Sequence, residues 1–543
     1  MNISKKNKNI ETSIVLLIYL IFLIFGAISF KDYGISVDEW ELRFLGFVNL
    51  KYIQEILQLN SLDTVDQIKF IPDFHDFKAG FTHGVIFSLP MAFIEYVFAI
   101  TDSQIYYWMR HYCNHLIFLI SNFYFFLIIK KNYNDWKIGI IGALFLFLSP
   151  RIFAESFYNH KDILFLSLLI INLYYGLAFL KKPSLKNSLL FSLTTALSID
   201  LRIMGIIIVP IIIFFSYLKY LRNKDLKILK AVGIYLILFP IITILFWPFL
   251  WENPLVNFIY AFKNLGSYAW EGYNLYLGKY FEASNLPWHY VFIWILITTP
   301  VFYIILFFYG FVNFGYRFSK RIIKIENQNS LDDFWRSEAE LNDLIFNILF
   351  WLPIFIVIFL NSTLYNGWRH LYFVYPLFLL IAIRGLYLIK LNFFKKKLSY
   401  LYLIISIFLI HIVFNMIKDH PYQNTYFNFL AGKNIEKNFE LDYWGLSNKQ
   451  ALEYILKKDD RQKINIGSAT PISLTNSTMI LSQKNRNRIN ISENNKADYI
   501  IDNYTNWHGK YKKKQYIIPD NFIINNEIIV SGKKIVSIYK KIN

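Results

Sequence analysis

Apolar runs of roughly 15 to 25 residues recur from residue 13 to residue 416, each closed by a short link rich in lysine or arginine. Runs of that length suit helices that cross a bilayer. The alternating segments of about ten residues that a membrane barrel requires are missing. The pattern predicts spans at 13–30, 105–129, 138–149, 163–180, 188–199, 203–218, 231–249, 290–311, 344–360, 371–389 and 401–416, about eleven in all. Residues 81–100 are nearly long enough to span, but Pro90 and Glu95 interrupt them. Counting them as a span would put Lys130-Lys131 and Lys181-Lys182 outside, against the preference of basic links for the cytoplasm. They therefore read as a re-entrant or surface-lying element. Residues 41–59 place Phe44, Phe47, Val48, Ile53, Ile56 and Leu57 at helical spacing among polar residues, the pattern of a helix lying on the membrane surface.

Beyond residue 417 the chain turns polar, rich in asparagine and lysine. Residues 418–543 are long enough for a small domain, beside a membrane domain at 1–417. A helix is expected at 447–457 with Ser447 as its N-cap. Short strands are expected at 464–466, 499–501 and 523–530, the last turning at Ser531-Gly532 into 534–539. The expected fold class is a polytopic α-helical membrane protein with a C-terminal extracytoplasmic α/β domain.

Composition supports the membrane assignment. Of 543 residues 55% are hydrophobic and 19% aromatic, and the mean hydropathy is +0.35, more than a soluble core requires. The net charge of +18 would suggest nucleic acid in a soluble protein, but here the basic residues sit in the links and set orientation. Lys5, Lys6 and Lys8 hold the N-terminus in the cytoplasm, and the first run lacks a small-residue cleavage site, so it is a retained anchor. Cys113 is the sole cysteine, which excludes a disulfide framework and a thiolate metal site. Neither a P-loop nor a dinucleotide glycine fingerprint is present.

With this topology the outer links hold the candidate chemistry. They are residues 31–80, 150–162, 200–202, 251–287 and 361–370. The first contains G-I-S-V-D-E-W-E-L-R-F-L-G at 34–46, where Asp38 and Glu39 stand as the chain leaves the bilayer. A carboxylate there is wetted yet at the lip of a lipid-filled space, where a base would meet a lipid-borne donor and a water-side acceptor. His75, Asp76, Lys78 and His83 return to the same surface. E-S-F-Y-N-H-K-D at 155–162, Asp200 with Arg202, and Trp368-Arg369-His370 complete four polar groups on one face.

The acidic pair after the first span, the tripeptide His160-Lys161-Asp162 after Ser149-Pro150, L-R-I-M-G at 201–205 and G-W-R-H at 367–370 together resemble the GT-C membrane glycosyltransferases. The resemblance is to the protein O-mannosyltransferase and aminoarabinose transferase group, glycosyltransferase family 39-like. It covers residues 10–220 and, by motif, 360–376. H-P-Y-Q-N-T-Y-F-N at 420–428 and L-D-Y-W-G-L-S at 441–447 look like the tail of a bacterial subgroup. The Pro-Pro pattern of some relatives is replaced by Thr82-His83-Gly84.

The resemblance implies a GT-C fold in the inner (plasma) membrane of a bacterium and transfer of a sugar, with inversion, from a polyprenyl-phosphate donor to the hydroxyl of an extracytoplasmic acceptor. Membrane lipid is then a partner and nucleic acid is not. On that pattern Asp38 is the catalytic base and Glu39 positions the acceptor or a cation. Arg369, His370, Arg202 and Lys161 are candidates for the donor phosphate, and His83, His160 and Asp162 for substrate binding. No cofactor is assigned, and a divalent metal is possible. The donor set Asp38, Glu39, Asp162 and His83 would suit a divalent metal chemically, although its spacing carries no metal signature.

Two other classes also fit an outward-facing polar surface. A transporter or flippase of lipid-linked sugars would carry ionisable residues near mid-bilayer, often in repeated halves. Glu95, Asp200, Arg202 and Arg384 lie in or near apolar runs, but no repeat is visible. An envelope phosphotransferase would require a nucleophile or a two-metal cluster, and the sequence offers no obvious one.

Overall fold

The computed structural model describes residues 2–58, 71–76, 83–266, 270–323 and 334–542. Lys78 and Thr82, both singled out in the sequence, lie outside them. Among the described residues, nine helices are long and apolar enough to cross a membrane, or ten if one bent pair counts as a span.

The first helix, α1 (Asn2–Ser29), leaves Leu16, Leu17 and Ile28 more than half exposed, as a lipid-facing surface requires. A loop leads to α2 (Glu39–Ile56) and then α3 (Ser88–Val97). At about 1.5 Å per residue, the ten residues of α3 reach about half the hydrocarbon thickness, so the 81–100 region does not span. It packs on α2 instead.

Helix α4 (Ser103–Tyr133) is followed by α5 (Trp136–Phe147) and α6 (Pro150–Tyr158), a pair bent by 66°. Pro150 causes the break, because it has no N–H to continue the ladder and drives Ser149 into the extended region, with ψ 105°. Next come α7 (Asp162–Lys181) and α8 (Leu185–Leu201). The latter packs between α7 and α10 (Leu226–Phe246). Two of the eleven expected spans are not among the nine: α8, at 17 residues, and α5, at 12, which counts only if its bent pair with α6 is one span. A 3-10 turn, Ile203–Ile207, leads into α9 (Ile208–Asn223), which precedes α10.

The link after α10 is not bare loop. It holds α11 (Pro254–Gly266) and a hairpin of β1 (Tyr273–Tyr276) and β2 (Lys279–Glu282). The span expected at 290–311 is two helices, α12 (Tyr290–Thr298) and α13 (Val301–Ile323). Pro300 separates them by the same mechanism, with Thr299 at ψ 141°. Helices α14 (Glu338–Phe359), α15 (Tyr375–Asn392) and α16 (Leu398–Lys418) complete the bundle. Where α13 crosses α15, a Cβ on Gly310 or Gly385 would strike the other helix's backbone, a close approach open only to small residues.

The C-terminal portion contains the short helix α17 (Ile435–Asn438) and α18 (Ser447–Lys458). Its strands are β3 (Ile464–Ser468), β4 (Ile489–Ile491), β5 (Tyr499–Asp502), β6 (Phe522–Val530) and β7 (Lys533–Lys541). They form a five-stranded mixed sheet in the order β4-β3-β5-β7-β6. Leu452 and Ile455 of α18 pack with Ile464, Ile466, Ile501, Val536 and Ile538 of the sheet. The helix and hairpin expectations hold, with two corrections. Strand β4 is three residues long, too short to show alternation. Ser447 is inside α18 rather than its N-cap, and the carboxylate of Asp442 accepts from the N–H groups of Leu446 and Ser447 at 3.2 and 2.8 Å. A side chain five residues back has taken the capping role because the chain loops tightly through Gly445, at φ 75°.

Candidate active site

Helix ends build the site. The N-terminus of α2, the turn between α6 and α7, the C-terminus of α8 and the 3-10 turn Arg369–Val374 ahead of α15 meet at one end of the bundle.

Asp38 precedes the first residue of α2 and does not use its side chain as a cap. Its Oδ2 accepts from Arg369 Nη1 at 2.8 Å, and the side chain is 30% exposed. Arg369 is buried and also reaches Asp162 Oδ2 at 3.4 Å. Its guanidinium carbon sits 4.8 Å from the ring of Tyr365 and 4.5 Å from that of Trp444, so cation–π contact holds the fork from two sides. Asp162 also takes a hydrogen bond from Arg202 Nη2. Two carboxylates and two guanidiniums thus form a continuous ionic chain.

The tripeptide after α6 divides its work. Asn159 Oδ1 accepts from the N–H groups of Lys161 and Asp162, while its Nδ2 donates to Glu155 and Asp162. In this turn Asp162 points to the arginines, Lys161 to His83 and His160 inward. Lys161 Nζ donates to His83 Nε2 at 2.7 Å. Burial, with Arg202 and Arg369 nearby, pushes the Lys161 ammonium down to about 8, against the pull of Asp38 and Asp162. His83 is held well below its ordinary value by burial and by the charges of Lys161, Arg202 and His370, which keeps it neutral and able to accept.

His83 is placed by its own neighbours. Gly84 N–H donates to Asp200 O, and Asp200 Oδ1 accepts from Ile86 N–H, both at 2.9 Å. A Cβ on Gly84 would collide with the carbonyl and carboxyl of Asp200, so the loop needs glycine there. Asp200 therefore ties the His83 loop to the end of α8, beside Arg202. His370 packs edge-on against Tyr365, ring centroids 4.5 Å apart. Several buried donors here have no partner, among them Arg369 Nε, Arg202 Nε and one nitrogen each of His83 and His370. Glu41, one turn beyond Asp38, is raised above its usual value by burial and by the charge of Asp38.

Glu39 and His160 belong to a separate, sealed group. The Glu39 side chain is 0% exposed. Its Oε2 accepts from Ser36 N–H at 2.6 Å, and its Oε1 lies 2.8 Å from His111 Nε2 and 3.5 Å from His160 Nε2. The bond to Ser36 N–H, with Glu39 N–H donating back to Ser36 O at 3.2 Å, closes the turn that leads into α2. Burial and the neighbouring His111 hold His160 well below its ordinary value.

Among the described residues, no group of three or more histidine, cysteine, aspartate or glutamate side chains is placed to hold a metal ion. The four candidate ligands have other partners: Asp38 and Asp162 share Arg369, His83 faces Lys161, and Glu39 faces His111.

Two parts of the assembly escape sequence reasoning. Glu155 accepts from the hydroxyls of Tyr372 and Tyr443, at 2.8 and 3.1 Å. Tyr443 and Trp444 come from the C-terminal portion. The tail motif 441–447 marks the right residues, but no spacing rule says that they close over Arg369. Similarly, Glu95 stands out as a charge in an apolar run, and its partners, Arg43 and Arg110, are visible only in three dimensions.

No protein-family model matches the chain, and no curated protein matches it. The fold is similar to ArnT from Cupriavidus metallidurans. The apo structure of that protein aligns over 98% of both chains at 10% identity with a TM-score of 0.46. A structure of it bound to undecaprenyl phosphate aligns over 97% of this chain and 98% of the other, at 10% identity and 0.45.

Proposed function

We propose that the chain is an inverting integral-membrane glycosyltransferase of the GT-C class. It moves a sugar from a polyprenyl-phosphate donor to a hydroxyl of an extracytoplasmic acceptor. The observation that carries this reading is the pair Asp38–Arg369: a part-exposed carboxylate bonded to a buried guanidinium that continues through Asp162 to Arg202.

The chemistry follows from charge. Transfer breaks the bond between the anomeric carbon and the phosphate oxygen, leaving its electrons on the phosphate, while the acceptor oxygen bonds to the opposite face of that carbon and loses its proton. Asp38 takes the proton. A carboxylate suffices, because the hydroxyl becomes acidic only as the new bond forms. The departing phosphate dianion needs no proton if cations hold it. Arg369 and Arg202 match its oxygens with their forks, and Lys161 and His370 stand beside them.

The Asp38–Arg369 ion pair gives this a sequence. Donor phosphate competes with Asp38 for Arg369, and taking that guanidinium frees the carboxylate to act as base. Asp162 keeps both arginines in place, His83 forms a wall beside Lys161, and His160 is turned away toward Glu39. Glu39 acts as a positioning residue, fixing the first turn of α2 and hence Asp38. The N-terminus is cytoplasmic, residues 1–417 form the transferase domain in the bacterial inner membrane, and residues 418–543 form an extracytoplasmic domain that closes over the site.

The test is incubation of the purified protein with a panel of polyprenyl-phosphate sugars, with assay for released polyprenyl phosphate and for glycosylated product. Release by the native protein and its loss in Asp38→Asn support the reading. Movement of intact lipid-linked sugar across a vesicle without release would make the chain a flippase.

A further inference from the structure

Helix α11 has a side that the bundle does not cover. At about 1.5 Å per residue, its 13 residues fall well short of the hydrocarbon thickness, so it does not cross. Leu255, Val256, Ile259, Tyr260 and Phe262 are nevertheless exposed, Leu255 and Val256 by 73% and 66%. At about 100° per residue they share one side of the helix. Lys263 is the only charged residue in α11, and a lysine stem is long enough to carry its ammonium to a headgroup. A contiguous apolar face of this kind marks contact with lipid or with protein.

Its position decides between them. Residues 247–253 separate α11 from α10, and they fold back tightly. Trp251 Nε1 donates to Ile244 O at 2.8 Å, and Asn257 Nδ2 donates to Phe249 O at 2.6 Å. The first turn of α11 is therefore pinned at the level where α10 ends. Helix α10 itself exposes Ile237, Ile241 and Leu245, as a span does toward lipid. The apolar face of α11 continues that surface past the end of the span, which favours lipid as its partner.

The opposite side of α11 is packed. Phe258 and Ala261 meet Ile203, Trp247 and Leu250. Ile203 directly follows Arg202 and opens the turn Ile203–Ile207. That turn is also backed by α8, where a Cβ on Gly205 would strike the backbone of Ser198. It is thus held by both α8 and α11, and Arg202 stands at its start with its guanidinium on Asp162.

We propose that α11 is an interfacial helix, set into the outer leaflet with its apolar face against phospholipid acyl chains just beneath the headgroups, and that its packed side fixes Arg202 at the depth of the lipid phosphates. Such helices sit about 5–10 Å into the boundary between headgroups and chains. A polyprenyl-phosphate donor then meets the guanidinium without its phosphate leaving the headgroup layer. Phe258, Ala261 and Ile203 are positioning residues, which act through Arg202. The role of Arg202 rests on the glycosyltransferase reading, whereas the seat in lipid does not.

The experiment uses the full chain in phospholipid nanodiscs and has two arms. A nitrobenzoxadiazole probe is attached at Ile259→Cys in a Cys113→Ala background. The same probe at Tyr511→Cys, a position 82% exposed in the polar C-terminal portion, is the water-side control. Bromines on the acyl chains near the headgroups should quench the probe at 259 and spare the one at 511, and aqueous iodide should do the reverse. In the second arm, Ile259→Asp should raise the donor KM about fivefold or more while moving the acceptor KM by less than about twofold, and Ile259→Leu should keep both at their native values. Iodide quenching at 259 equal to that at 511 overturns the seat in lipid. A donor KM indifferent to Ile259→Asp, or one that moves together with the acceptor KM, overturns the hold on Arg202. Lipid quenching at 259 in a protein that releases no polyprenyl phosphate would instead sink the transferase reading and leave the interfacial helix standing.

Discussion

Two ionic clusters in this protein use the same residue types to different ends. In one, Glu95 of α3 accepts from Arg43 of α2 and Arg110 of α4, its two oxygens divided between the arginines at 2.6–2.8 Å. Glu95 is 1% exposed and Arg110 is 0% exposed. In the other, Asp162 and Asp38 share Arg369, and Asp162 also meets Arg202. The first joins two short helices to a span and is closed on every side. The second opens to solvent through Asp38, and both keep a buried arginine nitrogen without a hydrogen-bond partner, Arg110 Nη1 in the first and Arg369 Nε and Arg202 Nε in the second. A buried charge removed from its partner is costly, so a sealed cluster acts as a clamp. A cluster with an open carboxylate is arranged to exchange partners.

The largest expected effect separates the two directly. Asp38→Asn should lower transfer by about a hundred- to ten-thousand-fold with little change in thermal stability, measured by product formation and by unfolding in detergent. Glu95→Gln should do the reverse. With two arginines left facing a neutral amide, stability should fall by about 3–5 kcal/mol, while folded molecules retain their turnover. Equal stability losses in the two variants would erase the distinction. Next comes Arg369→Lys, which keeps the charge and loses the fork. It should cost about a hundredfold in kcat/KM for the donor, and unchanged donor use would remove Arg369 from phosphate binding.

The smallest effect is a matter of pH. With its folded value near 8, Lys161 loses its charge as pH rises through 8, so donor use should decline several-fold along that limb, and Lys161→Met should flatten it. Stability should move the other way. The unfolded lysine titrates near 10.4, so between about pH 8 and 10.4 the unfolded chain binds more protons, and the folded state gains stability as pH rises. Activity and stability falling together above pH 8 would contradict the assignment.

The sequence makes the spans legible because lipid imposes one requirement over many consecutive residues, and basic links add a second, independent signal. It fails at breaks such as 290–311, where Pro300 alone decides between one helix and two. The candidate site is legible where a motif sits at a helix end. Asp38, Asp162, Arg202 and Arg369 are all such residues, and the structure joins them. Glu39 and His160 sit in the same motifs and point the other way, because adjacent residues at a helix start diverge by roughly 100°, and a motif does not record direction. The Glu155–Tyr372–Tyr443 contacts lie hundreds of residues apart, beyond the reach of any local pattern.

The contact of Trp444 with Arg369 ties competence to the order of synthesis. Tyr33 hydrogen-bonds Gln423, Gln450 donates to the carbonyl of Asp32, and a Cβ on Gly34 would strike the backbone of Leu446. The loop that carries Asp38 therefore rests on chain made some four hundred residues later, in and ahead of α18. A growing polypeptide can thread every span and still lack the wall behind its arginine. The site is then complete only once residues 423–450 have folded back against that loop, and a protease cut between residues 418 and 447 would return a mature molecule to that unfinished condition.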